Sequence, residues 1–426
     1  MNSIPRRLAA IPLARVLLIV LASSAAARAQ DAPEPGADWS PPGPQTAVVA
    51  SPASLWVGRN TTSLFSAPSG EAAGRPVPLQ CGPIIADPHP AYSIFYDTGI
   101  LASPGHPVST TLQSFSPGVL LSLGPQWTLD YTPTWEWYSN PLFQHTLDHV
   151  ARLQGSVAAD DWTLGLIQGY SRSSEPLVET GRQTPEEAVT TDIKATRGYG
   201  SRTFIELGLE QVILNSPVIP DSREWSTLDW VHQPLSPQWD AAVGGGAGYV
   251  SVNPGSDMDY IRPEARLTWK PSPRLAVDLR GGVEDRAFLG SREGRLVTPI
   301  FSVSSDYQAG ESTKVTLAGG RDVEVGYAEG QVDRVTTLSL GLQQRVLQHF
   351  FIGAAVGREE VAYLSTSGNP ADLRNDGSTT YQFSLGTVLF RRLSLSAQYS
   401  SLRNASSAAG FAFSSGQTGL TVQYRY

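Results

Sequence analysis

The chain has 426 residues, a formal net charge of −8, only 16% charged residues, 40 glycines, 32 prolines and a single cysteine. An acidic chain is a poor match for a phosphate backbone, which argues against nucleic acid as a partner. Lone Cys81 cannot form an internal disulfide and brings no cysteine metal cluster.

The N-terminus has the layout of an export signal. Arg6 and Arg7 form a positive start, Val16 to Ala22 an apolar core, and Ala27-Arg28-Ala29 a small-x-small site. The expectation is a signal peptide over residues 1–29, cleaved at Ala29/Gln30. Arg15 cuts the apolar run short of the roughly 20 residues that a spanning helix needs. No cysteine stands directly after the site, where Gln30 lies, so a lipoprotein precursor is not indicated.

Residues 30–90 are irregular. Twelve of the 32 prolines fall between Pro33 and Pro90, too many for a packed core. This stretch reads as a Pro-rich periplasmic extension or linker. Trp56, Phe65 and Leu79 leave open that part of it docks.

From about Ala91 to the end the pattern changes to segments that alternate with period two. Trp127, Leu129, Tyr131, Pro133, Trp135 and Trp137 share one face, and Thr128, Asp130, Thr132, Thr134 and Glu136 the other. Successive strand residues face opposite sides, so each segment is a strand with one apolar and one wet face. Short connections such as Gly124-Pro125, Leu235–Pro237 and Pro271–Pro273 alternate with longer polar ones. The longer ones are Ser173–Glu187, Asn215–Arg223, Ser365–Asp376 and Asn404–Ser415. That asymmetry predicts an all-β fold over 91–426: a transmembrane antiparallel up-and-down barrel, short turns periplasmic. Counting back from a periplasmic C-terminus gives seventeen strands; an even number is expected, and Tyr92 to Ile100 supplies an eighteenth, with sixteen as the alternative. A soluble all-β fold is the competing architecture.

Trp127, Trp162, Trp239 and Trp269 each lie beside a short turn, as a periplasmic aromatic girdle would place them. Leu420, Val422, Tyr424 and Tyr426 alternate up to a terminal aromatic, the form of an outer-membrane assembly signal.

Three stretches carry a family resemblance. They are Tyr399–Ser406 with Gly410–Ser415 and Gly419–Tyr426, then Asp130–Trp135, then Leu147-Asp148-His149 ahead of Asp161–Gly165. Together they resemble the β-barrel porin-2 type of bacterial outer-membrane proteins. The resemblance covers the barrel and implies a porin. Some relatives are associated with exopolysaccharide export, which it implies as an alternative role.

The densest charge is on one hairpin. Arg262, Glu264, Arg266 and Lys270 share a face, as do Asp278, Arg280, Glu284 and Arg286 on the next strand. Charges facing lipid at the midplane are costly, so these are expected to face the lumen. They are candidates for a charged constriction, against a salt-bridge ladder that stiffens the wall. A three-residue turn at Pro271-Ser272-Pro273 would set Arg266 opposite Asp278, and Glu264 opposite Arg280. That register puts opposite charges together.

Catalysis finds little support. His145, Asp148 and His149 form the one histidine cluster, and on a strand the two imidazoles would stand about 13 Å apart. Gly244-Gly245-Gly246 precedes no helix pattern and reads as a bend or a close approach in the wall. Asp257 and Asp259 are either a surface calcium loop or a solvated turn. The reading is a non-enzymatic barrel without metal or cofactor, sited in the outer membrane and passing small hydrophilic solutes. The alternatives are a glycan-export pore and a non-conducting anchor or adhesin. Its expected partners are outer-membrane lipid, the barrel-assembly machinery, and small solutes or a glycan.

Overall fold

Period-two alternation gives a strand two unlike faces, and a sheet of such strands can satisfy both only by separating two environments. Closing the sheet into a ring does this and removes its edges. The computed structural model describes residues 79–200, 203–290, 294–347, 349–366, 373–390 and 392–425. The expected signal peptide, most of the Pro-rich segment and Tyr426 lie outside the described residues.

A short strand β1 (Leu79–Cys81) precedes β2 (Ile84–Ser103), β3 (His106–Leu123), β4 (Trp127–Tyr138), β5 (Thr146–Ala159) and β6 (Trp162–Leu177). The wall continues through β7 (Arg182–Tyr199), β8 (Thr203–Asn215), β9 (Asp221–Ser236), β10 (Trp239–Asn253), β11 (Met258–Ser272) and β12 (Leu275–Phe288). It ends with β13 (Arg295–Gln308), β14 (Thr313–Val325), β15 (Gln331–Val346), β16 (Phe350–Ser365), β17 (Arg374–Leu389), β18 (Leu393–Ser406) and β19 (Phe413–Tyr424). Each strand pairs antiparallel with its sequence neighbours, and β19 pairs with β2. The result is a closed barrel of eighteen strands, β2 to β19. The alternative count of sixteen does not hold.

The wall begins at Ile84 rather than at Ala91. At the closing seam β19 covers only Ala91 to Asp97 of β2. Below it, β1 folds back through Gly82-Pro83 and pairs Leu79 to Cys81 with Ala86 to Ile84. Residues assigned to the extension thus cover an edge that β19 leaves open.

One rim carries turns of two to four residues, among them Pro273-Arg274. The other carries connections of two to eight residues. The long loop expected at Ser173–Glu187 is instead hairpin. Ser173 pairs with Glu186 and Leu177 with Arg182, leaving a tip of four residues, 178–181. Pro176 and Pro185 would be out of place in a central strand. They are tolerated because this part of the hairpin has no outer neighbour: β5 ends its pairing to β6 at Arg172, and β8 joins β7 only from Glu187.

Side chains pack tightly inside the loop-side half. One buried cluster joins Val250, Val252, Met258, Tyr260, Phe288, Val323 and Val332, and another joins Phe95, Leu112, Tyr138 and Phe143.

Candidate functional site

The outward face is mostly apolar, with Asp229 on β9 and Arg358 and Glu360 on β16 as charged exceptions. Tyr92 and Ile94 on β2, Leu209 on β8, Val243 on β10, Leu338 on β15, Phe383 on β17 and Leu420 on β19 are all exposed there. Directly paired residues share a face, so the ladder partners Val422 and Tyr92, or Leu420 and Ile94, carry the band across the seam.

Aromatics bound this band at both ends. Trp127, Trp162 and Trp239 open β4, β6 and β10, and Trp269 sits near the end of β11, so all four lie at the short-turn rim. Trp239 and Trp269 are ladder partners whose rings stack at 5.4 Å. The opposite rim has a second set that sequence reasoning did not separate out: Trp135 beside Phe115, and Trp225 beside Tyr249. On β10, Trp239 and Tyr249 share the outward face ten residues apart. At about 3.3 Å per residue that is about 33 Å of strand. At a typical barrel tilt it spans about 25 Å along the axis, the height of an outer-membrane apolar band. Leu420, Val422 and Tyr424 of the expected assembly signal lie on the β19 stretch that faces out; Tyr426 is outside the described residues.

The charged hairpin lies on the concave face. Arg262 Nη1 comes within 3.9 Å of Asp322 Oδ1 on β14, and Arg286 Nη2 donates to the Val323 carbonyl at 3.0 Å. Tyr260 Oη donates to Glu224 on β9. Contacts that skip strands run as chords, and chords exist only inside the ring.

The expected register is wrong by two residues. Arg266 stands opposite Arg280, Thr268 opposite Asp278, and Glu264 opposite Gly282. On the outward side Leu267 meets Leu279 and Trp269 meets Val277. The cause is the turn. It uses two residues, Pro273-Arg274, and an irregularity between Trp269 and Ser272 takes up the extra chain. The expected ion pairs still form, along diagonals that long side chains can span. Arg266 Nε donates to Asp278 Oδ2 at 2.8 Å, and Thr268 Oγ1 adds a bond to the same oxygen at 2.7 Å. Arg280 grips Glu264 with two donors, Nη2 at 2.7 Å from Oε1 and Nε on Oε2.

Toward the loop rim the ladder becomes dry. Glu284 Oε1 accepts Arg286 Nε at 2.7 Å. Its Oε2 lies 3.1 Å from Arg262 Nη2, at ion-pair distance without hydrogen-bond geometry. Side-chain exposure is 0% for Glu264 and Glu284 and 1% for Arg286, against 26–30% for Arg266, Asp278 and Arg280. On this hairpin the lumen wall is therefore solvated toward the short turns and closed toward the loops.

Gly244-Gly245-Gly246 lies in β10 beside this hairpin. A Cβ on Gly244 would meet the Trp230 ring at 2.6 Å, and one on Gly248 would meet the Tyr260 ring at 2.3 Å. The glycines leave room for large inward side chains of neighbouring strands to lie flat on the wall. Trp230 receives Arg280 at 5.8 Å, and Tyr260 lies beneath Arg262 and Arg286 at 4.5 and 4.8 Å.

The loop-side mouth is crossed by the free part of the β6–β7 hairpin. Leu177, Val178 and Thr184 are buried. Arg374 Nη1, on β17, donates to the Glu179 carbonyl at 3.1 Å. Stepping from β6 through β5, β4, β3, β2, β19 and β18 to β17 covers nearly half the ring, so this contact joins opposite walls. Arg374 is held between Tyr363 at 3.9 Å and Phe411 at 4.0 Å, with Asp376 Oδ2 at 3.0 Å from Nη2. Nothing in the sequence around Arg374 marks it for this role, because its partner is 195 positions away.

The remaining candidates are engaged in the scaffold. His145 Nδ1 accepts the Tyr138 amide at 3.1 Å, and His149 Nδ1 meets Tyr131 Oη at 3.0 Å, so the two imidazoles serve separate partners. Asp257, in the connection after β10, accepts Tyr249 Oη at 2.7 Å and the Val252 amide at 3.0 Å. The Tyr249 bond holds its carboxyl below the usual carboxylate range. Asp259 is an exposed residue of β11. Among the described residues no group of three or more histidine, cysteine or acidic side chains is arranged to hold a metal ion.

No family model matches the chain, and no curated protein matches it. Solved structures do. Pseudomonas aeruginosa OccK2 (OpdF) in complex with glucuronate aligns at TM-score 0.44 and 11% identity, over 80% of this chain and 97% of that one. OpdK of the same organism, solved with vanillate, aligns at TM-score 0.41 and 12% identity, over 80% and 98%. OccK11 (OpdR) aligns at TM-score 0.39 and 14% identity, over 80% and 95%.

Proposed function

We infer that the protein is an outer-membrane channel that admits small hydrophilic solutes. One observation carries this reading. The ring is closed, mostly apolar outside over the height of a bilayer, and lined inside by charged side chains that stay solvated in its turn-side half. Only closed barrels and helices can cross a bilayer with every backbone group satisfied. A barrel serving purely as an anchor has no need of a hydrated polar interior.

In this reading the short-turn rim is periplasmic. Trp127, Trp162, Trp239 and Trp269 form the headgroup-level girdle there, and the end of β19 is read by the assembly machinery. Arg266, Asp278 and Arg280 line the solvated passage, while Arg262, Glu264, Glu284 and Arg286 brace it where it narrows. The finer resemblance to porin-2-type proteins has no matching family model behind it and does not carry this assignment. Purified protein in a planar bilayer tests it. Stepwise openings that pass salt and small sugars are expected. Openings that a glycan blocks would instead favour polysaccharide export, and silence from a correctly folded barrel would favour an anchor.

A further inference from the structure

We propose that the free end of the β6–β7 hairpin is a lid over the loop-side mouth, and that Arg374 is the latch that keeps it shut. The inference rests on the channel reading above and adds how that channel is closed.

In the strand ladder residues 173–177 and 182–186 pair only with each other. A two-stranded ribbon without flanking strands is marginal by itself, so its position is set by the other contacts it makes, among them Ser216 Oγ donating to the Pro185 carbonyl at 2.6 Å. Its near side is tied to the β4–β5 connection, where the Gln144 amide donates to Gln183 Oε1 at 2.8 Å and Gln183 Nε2 donates back at 3.1 Å. Its tip abuts the β2–β3 turn, where a Cβ on Gly181 would lie 3.0 Å from Pro104 Cγ. Its far attachment is Arg374. That guanidinium is clamped by two rings and a carboxylate of the opposite wall, and it reaches the tip through one backbone oxygen.

Acidic side chains gather beneath the lid. Glu179 and Glu186 come from the hairpin, and Glu324 of β14, Asp333 of β15 and Glu359 of β16 lie near Glu179. Asp333 and Asp376 are buried, and each leaves Oδ1 without a hydrogen-bond partner. Burying carboxyl groups without full hydrogen bonding is costly, which sets the closed arrangement against hydration. A tip that the opposite wall grips through a guanidinium can be released by a local change. Lifting the lid hydrates these carboxylates and opens the mouth to solvent.

Single-channel recording in planar bilayers tests the proposal. Three variants are compared with wild type, after heat-modifiable migration has verified that each is a folded barrel. They are Arg374→Gln, a hairpin shortened by removal of residues 174–185, and Gln144→Cys/Gln183→Cys in a Cys81→Ser background. Wild type is expected to open rarely. Arg374→Gln and the shortened hairpin are expected to raise mean conductance severalfold. The oxidised double-cysteine variant is expected to stay closed until reductant is added. If wild type, Arg374→Gln and the shortened hairpin conduct alike, the lid is overturned and the channel stands. If even the shortened hairpin is silent, the channel reading falls and the lid with it.

Discussion

Arg266 lies directly across the β11–β12 ladder from Arg280, and each guanidinium turns to a carboxylate two positions along on the partner strand: Arg266 to Asp278, Arg280 to Glu264. A like-charge pair at close range thus becomes two ion pairs in parallel. The arrangement is possible because the inner face has room for the side chains to run along the strands rather than straight across.

The two pairs should differ in strength. Glu264 is fully buried, whereas Asp278 is part-exposed and keeps Thr268 as a second partner. Arg280→Ala leaves a buried carboxylate unpaired and should destabilise the barrel by about 3–5 kcal/mol. Arg266→Ala should cost no more than about 1 kcal/mol. Urea-dependent unfolding from lipid vesicles measures both, and equal losses would contradict the burial difference.

Glu284 should behave as the keystone of the dry end of the ladder. It is fully buried between Arg286 and Arg262. Glu284→Gln keeps the shape and removes the charge, leaving two poorly hydrated guanidiniums to repel each other. The expected loss is about 3–5 kcal/mol. The double variant Glu284→Gln/Arg286→Met should recover part of it, and a double variant worse than the sum of its parts would exclude this account.

Register and fold were legible from the sequence to different depths. The wall was readable because each strand repeats its own evidence: Leu338, Leu340 and Leu342 alternate with polar neighbours whatever β14 and β16 do. The pairing of Arg266 was not, because the β11–β12 register depends on an irregularity between Trp269 and Ser272 that leaves no mark in composition. The β6–β7 hairpin failed for another reason. Its prolines forbid a central strand but permit an unpaired edge, and whether an edge is unpaired is a property of the neighbours. Arg374 was invisible because its work is done across the ring.

Glycine positions in β10 make a paired test. Gly248→Ala would drive its Cβ into the Tyr260 ring, while Gly245, on the other face, has no atom closer than 3.9 Å to such a Cβ. Gly248→Ala should therefore cost about 1–3 kcal/mol, as overpacking does. Gly245→Ala should be close to neutral. Thermal melting in detergent distinguishes them, and a neutral Gly248→Ala would mean that Tyr260 moves aside freely.

The stacked pair Trp239 and Trp269 should show coupling of about 0.5–1.5 kcal/mol in a double-mutant cycle. Quenching by brominated lipids places the rings in depth. Bromines near the headgroups should quench this pair more than bromines near the chain ends, and the reverse order would remove the girdle.

The loop after β10 should respond to acid. The Tyr249 hydroxyl holds the Asp257 carboxyl below its usual range, so the bond stabilises the folded loop at neutral pH and is lost as pH falls below that range. Hydrogen exchange at the Val252 amide should quicken over that acidic window. Asp257→Asn should flatten the response, and an unchanged acid profile in that variant would assign the effect elsewhere.

The seam has a consequence for how the ring is made. Ser93 on β2 bonds to Thr421 on β19 across 328 positions of chain, and Gln417 to Asp97 across 320. Ring closure is therefore the most non-local step in the molecule, with the largest loop-closure entropy set against it. It cannot begin until the last strand has been synthesised and delivered. Until then β2 presents an unsatisfied edge to any other strand in the periplasm. Among the described residues, β1 shields that edge only as far as Ala86. The nascent wall must be kept from pairing with the wrong chain for the whole of its transit, and only the arrival of β19 ends that exposure.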